Sequence, residues 1–141
     1  MQTKSYFTVD ELCKSNTADL YKINNTPDEE IKKHLNTLIE FLNPLRESWG
    51  SGIKINSGYR CPELNQKVGS GKTSAHLIGY AVDMYPMNND FEKFKTFIQD
   101  YLKDKKFDQC IIEKSGSSQW IHLGLYNQKD QQRKMIFNIT K

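Results

Sequence analysis

The sequence predicts an α+β fold: a small, largely antiparallel sheet with helices packed on one face. Three observations carry this. Apolar residues recur at helical spacing in two segments, Ile31 to Trp49 and Phe91 to Leu102. Four short segments, near 53–59, 80–85, 107–113 and 119–126, read as strands. The elements come in the order helices, strand, strand, helix, hairpin.

Taken in order, Phe7-Thr8-Val9-Asp10-Glu11-Leu12 predicts a short helix, with Thr8 as N-cap and Glu11 three residues on forming a capping box. Lys14 to Thr26 is polar and reads as a loop around Ala18, Leu20 and Tyr21. Thr26-Pro27-Asp28-Glu29 marks a helix start, with Thr26 as cap, Pro27 at the first helical position and acids at the positive helix end. Ile31, Leu35, Leu38, Ile39, Leu42, Leu45 and Trp49 give that helix its buried face, Pro44 sits late in it, and Gly50 and Gly52 stop it. Ile53 to Tyr59 alternates as a strand, and Pro62 opens a short helix over Pro62 to Val68.

Gly69 to Ser74 is a loop; its glycines precede Lys72, but the spacing does not match a phosphate-binding loop. Tyr80 to Tyr85 is a second strand closed by Pro86. Asn89-Asp90 caps a helix carrying Phe91, Phe94, Phe97, Ile98, Tyr101 and Leu102. Phe107 to Glu113 and Gln119 to Tyr126 form a hairpin, and Arg133 to Ile139 offers one more strand.

At 141 residues the chain reads as a single domain, 1–141, monomeric and large enough to bury a core without staples. Its net charge of +3 comes from 20 basic and 17 acidic residues spread along the chain, a solvated surface rather than a nucleic-acid patch. No apolar run reaches the length of a membrane span, and Met1-Gln2-Thr3-Lys4-Ser5 leads on with no apolar leader, so no secretory signal is visible and synthesis in the cytoplasm is expected. Cys13, Cys61 and Cys110 are odd in number and lack CxxC spacing, which predicts free thiols.

The chemistry concentrates in Ser74-Ala75-His76-Leu77-Ile78-Gly79-Tyr80-Ala81-Val82-Asp83 and in Trp120-Ile121-His122. Two of the three histidines and one carboxylate form the donor set of a catalytic zinc site, with a fourth position left for water. A loop offers His76, turns at Gly79 and enters a strand on which Asp83 and Ala81 share one face while Val82 and Met84 face the core. The general base expected is Glu113: a turn at Ser115-Gly116 pairs it with Ser118 and places it on the face of Trp120 and His122. Asp108 faces the other way in that register. Arg60 is placed to hold a substrate carboxylate or an oxyanion. Ser74 hydrogen-bonds in the loop or to substrate, and Trp120 walls the pocket. His34 lies on a helix without an obvious partner and receives no role.

Ser74-x-His76-x-x-Gly79-x-Ala81-x-Asp83, Ser57-Gly58-Tyr59-Arg60 and Trp120-Ile121-His122 together resemble the zinc D-Ala-D-Ala carboxypeptidase family, which includes bacterial DD- and LD-peptidases and phage endolysins. Phe7-Thr8-x-Asp10-Glu11-Leu12 and Asn25-Thr26-Pro27 look like its small phage-associated branch. The resemblance implies a Hedgehog-like α+β fold, zinc on His76, Asp83 and His122, a role for Arg60, and hydrolysis of peptidoglycan stem peptides, either as a D-Ala-D-Ala carboxypeptidase or as an L-Ala-D-Glu endopeptidase. It also implies action on the cell wall after release from the cell. Many relatives carry the base glutamate three residues before the last histidine, where this chain has Gln119. The small branch looks like it draws that glutamate from the preceding strand, as Glu113 would allow. Gln119 keeps open a second reading, a non-catalytic zinc-containing module that binds the wall or belongs to a phage particle.

Overall fold

The computed structural model describes residues 5–141; the first four residues, on which part of the reading of the chain start rests, lie outside it. Five strands form one sheet in the order β1-β2-β4-β3-β5: β1 Ile53–Ser57, β2 Ala81–Pro86, β3 Gln109–Ser115, β4 Ser118–Gly124 and β5 Met135–Thr140. All neighbours are antiparallel except β5, which runs parallel to β3. The expected α+β architecture is present.

Alternation along the strands divides the sheet into two faces. Val82, Met84, Cys110, Ile112, Ile121 and Leu123 point into one hydrophobic core. That core is completed by helix α3 (Glu29–Trp49), through Leu35, Leu38, Leu42 and Leu45, and by helix α5 (Phe91–Tyr101), through Phe94 and Ile98. Each such side chain contributes roughly 1.5–3 kcal/mol on burial. The opposite face carries Asp83, Tyr85, Glu113, Trp120 and His122, so the packed helices leave the polar side of the sheet to the site.

Local chemistry explains most boundaries. Thr8 caps α1 (Val9–Cys13), its hydroxyl accepting from the Glu11 amide at 3.1 Å. The stretch read as a loop instead contains α2 (Asn16–Tyr21), capped by Ser15 and closed by Lys22 in the left-handed region. Only Ala18 of α2 is buried, too short a pattern to register as periodic. Helix α3 begins two residues later than expected: Asp28 is the cap, taking the Ile31 amide at 2.8 Å, and Pro27 stands outside. Asp28 can cap with its carboxylate and also complement the helix dipole. The helix runs through Pro44 and stops at Gly50, whose φ of +78° suits a residue without a side chain. α4 (Pro62–Lys67) starts at Pro62 as expected.

Two irregularities set the site face. A bulge in β1 between Ile55 and Ser57 puts Lys54 opposite Tyr85 and Ser57 opposite Asp83, so both meet the site face despite being three apart. The β3–β4 turn is Gly116-Ser117, not Ser115-Gly116, with Ser115 paired to Ser118 and Glu113 to Trp120. Gly116 has φ +60° and Ser117 is not among the positive-φ residues, which favours glycine at the first central position of a type II′ turn. Moving the whole turn by one residue shifts pairing by two, so the face of Glu113 is unchanged.

Candidate metal centre

His76 is presented by a single 3-10 turn, Ala75–Ile78, between β2 and the loop after α4. The Ser74 hydroxyl caps it by accepting the His76 amide at 3.2 Å, which is the in-loop alternative of the two roles read for Ser74. Gly79 ends it at φ +80°, where a Cβ would sit 3.2 Å from the Ile31 carbonyl oxygen. The imidazole Nδ1 of His76 lies 2.6 Å from the Gly58 carbonyl oxygen. Gly58 can present that oxygen because it has no side chain: a Cβ there would stand 2.1 Å from the Leu12 carbonyl oxygen. Asp83 and His122 are direct partners across the β2–β4 ladder.

One ligand atom from each of His76, Asp83 and His122 lies within 4.8 Å of the others. Asp83 Oδ1 is 3.2 Å from His76 Nε2 and 3.1 Å from His122 Nδ1. A tetrahedron built on zinc–ligand bonds has edges of roughly 3.3 Å, so this spacing suits one ion. The protonation states point the same way. His76 is fully buried; burial pushes its pKa down, outweighing the pull of Asp83, and leaves a neutral ring. With Nδ1–H given to Gly58, Nε2 is a bare lone pair. Burial works to raise the pKa of Asp83, yet the neighbouring imidazoles outweigh it and hold the carboxyl well below the usual range. A lone pair and an ionised oxygen therefore face each other at 3.2 Å, an arrangement a cation between them makes favourable.

The remaining predicted residues gather around this cluster. A cleft of about 910 Å³ is lined by Arg60, Ser74, His76, Asp83, Glu113, Trp120 and His122 among others. The Trp120 indole N–H donates to Glu113 Oε2 at 3.0 Å. Arg60 donates from Nε to Asn65 (3.1 Å), from Nη1 to Ser57 (3.2 Å) and from Nη2 to Ser70 (3.3 Å). All three acceptors are neutral oxygens. Burial lowers the Arg60 pKa against the pull of Asp83 and Glu113, but a guanidinium stays charged. Asp108 is spoken for: it is buried and takes two side-chain hydrogen bonds from Arg133, at 2.7 and 2.9 Å. The three thiols are free, and burial pushes that of Cys110 up to about 12.

Sequence reasoning passed over several residues that hold the site. Asn25 is buried and ties three segments together, donating to Cys13 and Tyr59 carbonyls at 2.9 Å and accepting from the Cys61 amide at 2.8 Å. Asn65 anchors Arg60 and also donates to the Gly71 carbonyl at 3.0 Å. His34, given no role and no partner from sequence, has Glu30 one turn before it at 3.4 Å. Its Nδ1 meets the Ile78 carbonyl at 2.6 Å and its ring stacks on Tyr80 at 4.2 Å, bracing the turn that carries His76. The i, i+4 spacing of Glu30 and His34 was the available signal; the other contacts join distant segments.

A family model described as Peptidase M15 matches residues 5–124, a span that takes in all three candidate ligands, Arg60, Glu113 and Trp120. No curated protein matches the chain.

Proposed function

The chain belongs to the peptidase M15 family, and from that premise we propose that it is a zinc-dependent hydrolase of peptidoglycan stem peptides, with His76, Asp83 and His122 as metal ligands and Glu113 as general base. The observation that carries the reading is the donor triangle at 3.1–3.2 Å around Asp83 Oδ1, set in a cleft that also holds a guanidinium bonded to neutral oxygens and a carboxylate. Zinc, when bound there, acidifies water and polarises a carbonyl.

The chain's own groups supply the rest. Glu113, fixed by the Trp120 indole, takes a proton from the attacking water and returns it to the departing amine. Arg60, held by three neutral acceptors, offers its remaining N–H groups to a substrate carboxylate or to developing oxyanion charge. His76 keeps its orientation through Gly58, and its neutral ring is the form a metal needs. The absence of a glutamate at Gln119, which favours a binding-only module, loses force because Glu113 lines the same cleft. A released, wall-directed lytic enzyme of endolysin type fits this chemistry.

Incubating the zinc-loaded protein with purified wall fragments and reading new amino termini by mass spectrometry tests the proposal. New termini within the stem peptide are expected. Binding of fragments without any cleavage would replace hydrolysis with the binding-module reading.

A further inference from the structure

Residues 125–141 lie beyond the span matched by the family model, yet Asn127, Gln128, Lys129, Gln131, Arg133 and Lys141 all line the cleft that holds the candidate metal. The segment is seated at both ends. The Leu125 amide donates to the Tyr80 carbonyl at 2.8 Å, and the Tyr126 ring packs on that of Tyr80 with centroids 4.9 Å apart. Further on, the Met135 amide donates to the Asp108 carbonyl at 2.9 Å and Arg133 grips the Asp108 carboxylate. Between these anchors Asn127 folds the loop onto itself. Its Oδ1 accepts the amides of Lys129 and Gln131, both at 2.9 Å, and its Nδ2 donates to Gln131 Oε1 at 2.8 Å. Gln128 therefore projects from a loop whose shape is already set.

Gln128 reaches across to the loop that leads into the His76 turn. Its Nε2 donates to the Lys72 carbonyl at 3.0 Å and to the Ser74 carbonyl at 3.1 Å. Both partners are pure acceptors, which fixes the amide with its nitrogen toward them and uses both of its N–H groups. Ser74 is the N-cap of Ala75–Ile78, the turn that carries His76. A single 3-10 turn has little stability of its own and depends on what surrounds it. Its other end is also held from outside, by His34 Nδ1 against the Ile78 carbonyl. The turn is thus fastened at its start by the C-terminal segment and at its end by helix α3.

Resting on the zinc reading above, we propose that Gln128 is a positioning residue for the metal centre: by donating to Lys72 and Ser74 it holds the turn so that His76 meets the ion in a preset place, which makes the C-terminal segment part of the site's frame. A turn released at Ser74 has to be ordered again each time the ion binds, and that cost is subtracted from affinity. Groups that orient a metal ligand directly are worth about 10- to 100-fold in affinity. Gln128 acts one step further out, through the backbone, so its loss is expected to weaken zinc binding about three- to tenfold.

The test uses the full chain with zinc and cobalt(II) ions as probes. Gln128→Met keeps the length of the side chain and removes both donors; Gln128→Lys restores donors. Zinc Kd is measured by competition with a chromophoric chelator, and the visible spectrum of the cobalt-loaded protein reports the ligand geometry that spectroscopically silent zinc conceals. Gln128→Met is expected to bind zinc about three- to tenfold more weakly and to give an altered cobalt spectrum. Gln128→Lys is expected to recover most of both, although its charge by itself repels the ion. Gln128 is exposed, so the variants are expected to fold, and Gln128→Ala serves as a second donor-free variant if Gln128→Met does not. Wild-type Kd and spectrum in the donor-free variant overturn the inference and leave the zinc reading standing. Equal losses in Gln128→Met and Gln128→Lys overturn the donor role, and with it the inference. A wild-type protein that takes up no zinc overturns both.

Discussion

The indole nitrogen of Trp120 donates to Glu113 Oε2 at 3.0 Å, directly across the β3–β4 ladder, and both side chains line the cleft that holds His76, Asp83 and His122. The pairing gives a carboxylate on a regular strand one defended position. It also ties the proposed base to the strand that carries His122.

Replacing Glu113 with Gln should leave metal content unchanged and cut kcat by about 10²- to 10⁴-fold. Trp120→Phe keeps the ring but removes the donor, and a smaller fall of about tenfold in kcat, with KM little changed, is expected from a loosened base. Metal analysis beside steady-state kinetics checks both; undiminished turnover by Glu113→Gln would remove it from the mechanism.

Zinc should stabilise the fold through its three ligands. At a hundredfold excess of free zinc over its Kd the gain is about 2.7 kcal/mol, or a rise in Tm of roughly 10 °C. Chelation should reverse the shift, and His122→Ala should abolish it. Scanning calorimetry with and without chelator reads the result.

Gly58→Ala should be costly out of proportion to one methyl group. The added carbon would meet the Leu12 carbonyl oxygen at 2.1 Å, and relief of that clash moves the carbonyl that orients His76. A loss of about 2–4 kcal/mol in stability is expected, together with weaker zinc binding, measured by denaturant unfolding and metal titration.

Asp108 gives a pH dependence of known sign. Burial acts to raise its pKa, but hydrogen bonds and charge from Arg133 prevail, so the folded carboxyl lies below its ordinary value. The stability it contributes is present above the unfolded-state pKa, near 3.9, and is lost as pH falls through the lower folded value. Asp108→Asn should therefore destabilise the protein by about 2 kcal/mol at neutral pH, with the gap from wild type narrowing in acid. Urea unfolding at neutral and acidic pH measures it.

The two long helices and the face assignments on β2 and β4 were legible because strong periodicity and strand parity are local signals. His76, Asp83 and His122 could be named because a loop, a glycine turn and two strands are written contiguously around them. The short helix α2 was missed since a single buried residue, Ala18, leaves no periodic trace. The start of α3 slipped because Thr26 and Asp28 are both competent caps and only the tertiary setting separates them. Turn position in the hairpin depended on the backbone angle of Gly116, which the sequence does not state; the face on which Glu113 lies was unchanged because parity was preserved. Asn25 and Asn65 act across the chain and had no local signature.

The carbonyl of Leu12 abuts Gly58 and accepts the Tyr59 amide at 2.8 Å, while Asn25 clasps Cys13 to Tyr59 and Cys61. The amino-terminal helix is therefore a buttress for chemistry encoded far downstream. Trimming that helix to shorten the protein, or splicing a partner into it, would unseat the histidine cradle.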